Sequence, residues 1–152
     1  MTSEKALQSK IKQLRRSGTI GNDVQFKVVD NDMPGVSQDE DAVMIGAHKL
    51  VLALGSPVTK RQFCGPMRDE ALVVNIVDSS PEVFRVFIKC FYEDVDISQK
   101  SVQFLCDLYY LGDKYCIEEL KVSFCRSYIL GIVIRVSFIL FFSGQHYCDP
   151  DH

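Results

Sequence analysis

The stretch GAHKLVLALGSPV, residues 46–58, marks a change of hydrophobic period. Val43 to Ala47, which leads into it, reads as a strand, whereas from His48 onward Leu50, Val51, Leu54 and Val58 recur at helical spacing. Gly55-Ser56-Pro57 breaks that helix and at once restarts it. The Ser56 hydroxyl can accept an orphan N–H of the next turn, and Pro57 suits the first helical position, where its missing N–H costs nothing. A second short helix is therefore predicted to reach about Cys64.

Upstream, DVQFKVV (23–29) alternates as a strand does, with Val24, Phe26 and Val28 on one face. The intervening DNDMPGVSQDED (30–41) is rich in turn formers, and its acidic run reads as a solvated loop rather than a metal site. Downstream, a strand is expected over Leu72 to Val77. Ser80, Pro81 and Glu82 then form a helix start, carrying Val83, Phe84, Phe87, Ile88 and Phe91 toward a core. A brief extended piece, Val95 to Ile97, precedes helices over roughly 99–115 and 117–128, whose apolar sets include Val102, Leu105, Leu108, Tyr109, Leu120, Val122 and Phe124. At the other end, residues 4–16 place Leu7, Ile11 and Leu14 at i, i+4 and i+7 among Lys5, Lys10, Lys12, Arg15 and Arg16. Three apolar residues cannot hold so basic a helix alone, so it must dock on its own domain or on a partner. The element order predicts an α+β fold, a small sheet covered by helices.

Composition narrows the function classes. The 152 residues suit one domain, and 47% apolar with 24% charged residues excludes wholesale disorder. Seventeen Lys and Arg against twenty Asp and Glu give a net charge of −3, too acidic for a domain whose main work is neutralising nucleic-acid phosphates. Six cysteines, at 64, 90, 106, 116, 125 and 148, form no CxxC pair and have no histidine at ligand spacing, so neither a metal nor any other cofactor is expected. Cys90, Cys106, Cys116 and Cys125 fall in helical segments and read as small buried hydrophobes. The first eighteen residues lack the apolar run of a secretory signal, which predicts a reducing cytoplasmic or nuclear setting without disulfides. His48, His146 and His152 stand in no nucleophile context, and no phosphate-binding or HExxH motif occurs, so no enzyme activity is expected. His48, at a strand-to-helix junction, is expected to hydrogen-bond nearby backbone.

Four separated blocks, NDVQFKVV, GAHKLVLALGSPV, NIVDSSPEVFRVFIKCFY and YLGDKYCIEELK, resemble the BTB/POZ domain in that family's order across Asn22 to Ile129. The likeness is strongest to BTB domains of cullin-3 ubiquitin-ligase substrate adaptors. It implies a small mixed sheet covered by a cluster of α-helices, and an interaction and dimerisation module that works without catalysis. Relatives pair through an N-terminal helix and the first helices of the core, which implies a dimer interface at Leu7, Ile11 and Leu14, with Asp23 and Lys49 matching a charged pair near it. In cullin-binding relatives a hydrophobic-x-acidic motif precedes the third strand and an aromatic residue ends the following helix. The matching positions are Met67-Arg68-Asp69, with Asp where the family has Glu, and Tyr92. Thr59 replaces an aromatic common after Ser-Pro-Val, so one core contact must be lost or supplied elsewhere.

The implied division is a dimerisation helix over 1–20, the BTB/POZ domain over 21–128, and a hydrophobic tail over 129–152. Residues 128–142, YILGIVIRVSFILFF, hold 12 apolar residues of 15 and account for a mean hydropathy of +0.04 that is high for so charged a chain. The run is short for a membrane span and carries Arg135, and its β-branched and aromatic character is that of an aggregation-prone window. A truncated or alternatively spliced product is the favoured explanation of this tail, with a segment that packs on the domain or one that associates with membranes as the alternatives. Three uses of the module follow: a homodimeric adaptor for a cullin-3 ligase, a BTB-only regulator that heterodimerises with longer BTB relatives, or a transcriptional co-regulator. None involves direct nucleic-acid or membrane binding.

Overall fold

Alternation decides the sheet. Along β1 (Val24–Val28) the side chains of Val24, Phe26 and Val28 are buried while Gln25 is exposed, so one face of the strand meets the core. The computed structural model describes residues 3–17, 21–29, 42–68 and 70–143. In it β1 is central, pairing antiparallel with β2 (Val43–Ala47) and parallel with β3 (Val73–Ile76). The register sets Phe26 opposite Ile45 on one side and Val74 on the other. The acidic stretch 30–41 lies outside the described residues.

Helices close the other side of the core. In chain order they are α1 (Ser3–Ser17), α2 (Lys49–Gly55), α3 (Pro57–Cys64), α4 (Pro81–Cys90), α5 (Val102–Lys114) and α6 (Glu118–Ser143). Three begin alike: the hydroxyls of Ser56, Ser80 and Ser101 accept the backbone N–H of Thr59, Val83 and Phe104, which satisfies one orphan donor each. Gly55 ends α2 where a side chain would run into the Phe91 ring. From the sheet inward runs an aromatic column: Phe26 lies 5.1 Å from Phe84, Phe84 5.7 Å from Phe87, and Phe87 5.0 Å from Tyr115 between ring centroids. It joins β1, α4 and the end of α5 through tilted ring pairs.

The turn from α5 to α6 is tight. Ile117 N–H donates to Gly112 O and Cys116 N–H to Asp113 O, the paired bonds that close a helix through a left-handed residue, here Cys116 at φ 54°. A side chain at that conformation is strained, and Cys116 is exposed, so nothing in the core holds it there. Cys116→Gly is expected to raise the stability by about 1 kcal/mol. The check is a urea midpoint that moves upward with an unchanged slope.

Three expectations are corrected. Val95 to Ile97 forms no strand; Ile97 is buried, but the segment pairs with no neighbour in the described sheet. The last helix does not stop near residue 128 but continues unbroken to Ser143. Once a helix is nucleated against α5, each further residue adds a backbone bond, and β-branched residues oppose that by only about 0.7 kcal/mol or less each. The cysteines are not a buried set: Cys64, Cys106, Cys116 and Cys125 are exposed and Cys90 is half-buried. On α5 the inward positions are taken by Leu105 and Leu108, which leaves Cys106 facing out. Burial pushes the Cys90 thiol up to about 11, so it stays protonated at neutral pH.

Candidate functional site

The basic helix α1 is seated on its own domain. Ile11 packs against the core, Lys12 Nζ lies 2.9 Å from Glu93 Oε2, and the Arg15 guanidinium sits 5.3 Å from the Tyr92 ring centroid. Leu14 is half-buried. Tyr92 is only 4% exposed, and its hydroxyl accepts the His48 backbone N–H at 2.9 Å and meets His48 Nδ1 at 2.9 Å. Burial raises the Tyr92 pKa, so the phenol remains a neutral hydrogen-bonding group. His48 immediately precedes α2, so Tyr92 links the seat of α1 to the start of α2. Where nearby backbone was expected as the partner of the His48 ring, the described partner is the Tyr92 side chain just past the end of α4.

Asp23 and Lys49 do meet. The described contact is Lys49 N–H donating to Asp23 Oδ1 at 2.7 Å, so the carboxylate caps the first turn of α2, where it also favours the positive end of the helix dipole. The Lys49 ammonium lies 5.4 Å from the Phe63 ring centroid. Beyond this cap, Leu7 on α1 and Leu50 and Leu54 on α2 are 60–75% exposed. Each is a large apolar side chain offered to solvent, the residue type that contacts a partner where several cluster.

At the other end of α2 the Ser-Pro-Val-Thr corner is tied by hydroxyls. Ser56 Oγ donates to Tyr115 O at 2.6 Å, and Thr59 Oγ1 donates to Leu52 O at 2.6 Å. Both side chains are buried with their polar atoms satisfied. Thr59 therefore replaces the packing of an aromatic ring with hydrogen bonds to the preceding helix. Met67 follows α3, is 94% exposed, and borders an open groove with Val58, Arg61, Pro66 and Cys116. Tyr92 lines a different groove, with Ile11, Lys12 and Glu93. Among the described residues Met67 and Tyr92 thus line different grooves, and Asp69 lies outside the described residues. Among the described residues no group of three or more His, Cys, Asp or Glu could hold a metal ion.

The BTB/POZ domain family model matches residues 13–130. The chain belongs to the BTB/POZ family. Its fold is similar to the BTB domain of zebrafish PATZ1, with 20% identity, 85% of this chain and 94% of that chain covered, and a TM-score of 0.58. It is likewise similar to the BTB domain of human gigaxonin, with 13% identity, coverage of 83% and 93%, and a TM-score of 0.60. BTB domains are protein-interaction modules that generally dimerise. In this BTB domain the exposed leucines of α1 and α2 and the Met67 corner are separate surfaces. Val102, Tyr109 and Val122, counted in the apolar sets of the last two helices from the sequence, are exposed.

Proposed function

We propose that this BTB domain dimerises through α1 and α2 and serves, in the cytoplasm, as an adaptor for a cullin-3 ubiquitin-ligase scaffold. The observation that carries the ligase reading is Met67, a flexible apolar side chain almost wholly exposed at the rim of an open groove beside α3. The unpartnered Leu7, Leu50 and Leu54 support the dimer, because a two-fold interface buries each of them against the same patch of a second copy. Asp23 and Lys49 fix the start of α2 and hence the direction in which Leu50 and Leu54 project.

Titration calorimetry with the N-terminal region of cullin-3 tests the assignment. Met67→Asp removes the apolar knob at an exposed position, so the fold is expected to survive while affinity falls at least about tenfold, the loss typical of an anchor at an interface centre. A folded wild-type protein that gives no heat with the cullin fragment, or a variant that binds as well as wild type, defeats the ligase assignment.

A further inference from the structure

The hairpin of α5 and α6 carries one short pattern twice. Leu105, Cys106 and Tyr109 on the first helix match Phe124, Cys125 and Tyr128 on the second: an apolar residue, a cysteine beside it, and a tyrosine three residues on. In each copy the cysteine and the tyrosine are neighbours on the helix surface, as are the apolar residue and the tyrosine. Leu105 and Phe124 turn into the core, at 7% and 2% exposed, whereas both cysteines are exposed and each tyrosine is 42% exposed. Cys106 stands eight residues before Lys114 at the end of α5 and Cys125 seven residues after Glu118 at the start of α6, so the two copies come level across the hairpin. These six residues line one groove of about 210 Å³, with an apolar floor and a thiol and a phenol from each helix.

We infer that this groove is a covalent capture site for a small uncharged electrophile with an apolar tail, an α,β-unsaturated aldehyde, which adds to Cys106 or Cys125. The lining selects that class. Among the described residues none that line the groove is charged, which favours a neutral ligand, and Leu105, Phe124 and the two phenol rings offer an alkyl chain an apolar bed. The volume lies below the ~300–1,000 Å³ of sites for drug-sized ligands, so the tail is of medium length. The thiols supply the nucleophile, and the Tyr109 and Tyr128 hydroxyls are O–H donors of the kind a carbonyl oxygen accepts. In the reaction the thiolate sulfur forms a bond to the β-carbon, and the carbon–carbon π pair moves to the α-carbon and carbonyl oxygen as an enolate. The α-carbon then takes up a proton equal to the one the thiol gave to solvent, so nothing leaves and no oxidant is consumed. The other described cysteines lack this setting. Cys64 lines no part of the groove, Cys116 borders the Met67 groove beside Arg61, and Cys90, half-buried with its thiol pushed up to about 11, stays protonated and unreactive.

Competition labelling of the full chain at neutral pH tests this. The protein is treated with a limiting amount of nonenal, the adducts are fixed by borohydride, and the labelled sites are read by peptide mass spectrometry. Cys106 and Cys125 together are expected to react about tenfold faster than Cys64 or Cys116, a ratio that burying about two methylene groups of the tail suffices to give. One fast equivalent per chain is expected, because one tail fills the groove. Propenal, which has the same reactive carbons and no tail, and iodoacetamide are expected to label the exposed cysteines without that preference. Tyr109→Ser with Tyr128→Ser strips the groove of its phenol walls at exposed positions, with a residue of similar helix propensity. The double variant is expected to lose the nonenal preference while its circular dichroism and its iodoacetamide labelling stay unchanged. Nonenal spread evenly over the exposed cysteines, a propenal preference equal to that of nonenal, or a folded double variant that keeps the nonenal preference overturns the proposal.

Discussion

Phe87→Ala is expected to lower the unfolding free energy by about 3–5 kcal/mol, the range for deleting a buried aromatic ring. Phe87 is 1% exposed and stands between Phe84, Phe91 and Tyr115, with ring centroids 5.0–5.7 Å away. Its removal leaves a cavity between α4, which with its C-terminal cap carries Phe84 and Phe91, and the end of α5, which carries Tyr115, and the close packing of these rings restricts collapse into the gap. Since a domain of this size is stable by about 5–15 kcal/mol, the variant sits near the limit of folding. Urea denaturation reads the loss. A change within about 0.5 kcal/mol, as at a surface site, would show that the aromatic column does not bear the core.

The second large effect is expected from Ser56→Ala, a change of one oxygen atom. Ser56 Oγ accepts Thr59 N–H at 3.3 Å and donates to Tyr115 O at 2.6 Å. Losing the cap costs about 1 kcal/mol. The Tyr115 carbonyl, left facing a methyl group, adds about 1–3 kcal/mol, because a stranded buried acceptor loses its solvation without replacement. Ser56→Thr retains the oxygen and is expected to recover most of the stability. If Ser56→Ala and an alanine at the simpler cap Ser80 cost the same, the bond to Tyr115 contributes nothing. The comparison isolates the long-range bond because both serines cap with the third residue on.

Features specified by neighbouring residues were legible in the sequence. Ser56-Pro57 and Ser80-Pro81 each carry the cap and the first-turn proline side by side, and α3 and α4 begin where those signals place them. The alternation of Val24, Phe26 and Val28 likewise gave the inward face of β1. Side-chain partners distant along the chain left no local signal: His48 and Tyr92, 44 residues apart, were not paired in advance, and Asp23 and Lys49, 26 apart, were paired only through the family resemblance. Periodicity also fails where a helix is apolar on more than one side. Val102, Leu105, Leu108 and Tyr109 all lie on α5, yet only the second and third are buried, because neighbouring helices rather than spacing decide which stripe faces in.

The docking of α1 also affects how fast copies can meet. Lys12 against Glu93 and Arg15 over Tyr92 hold this helix in place within a single chain. Its 15 residues are therefore ordered before any second copy arrives. Fixing a residue's backbone costs about 1–2 kcal/mol, and here that cost is borne during folding rather than during association. In the proposed dimer two protomers meet as preformed surfaces, and their encounter rate is set by orientation rather than by the winding of a helix.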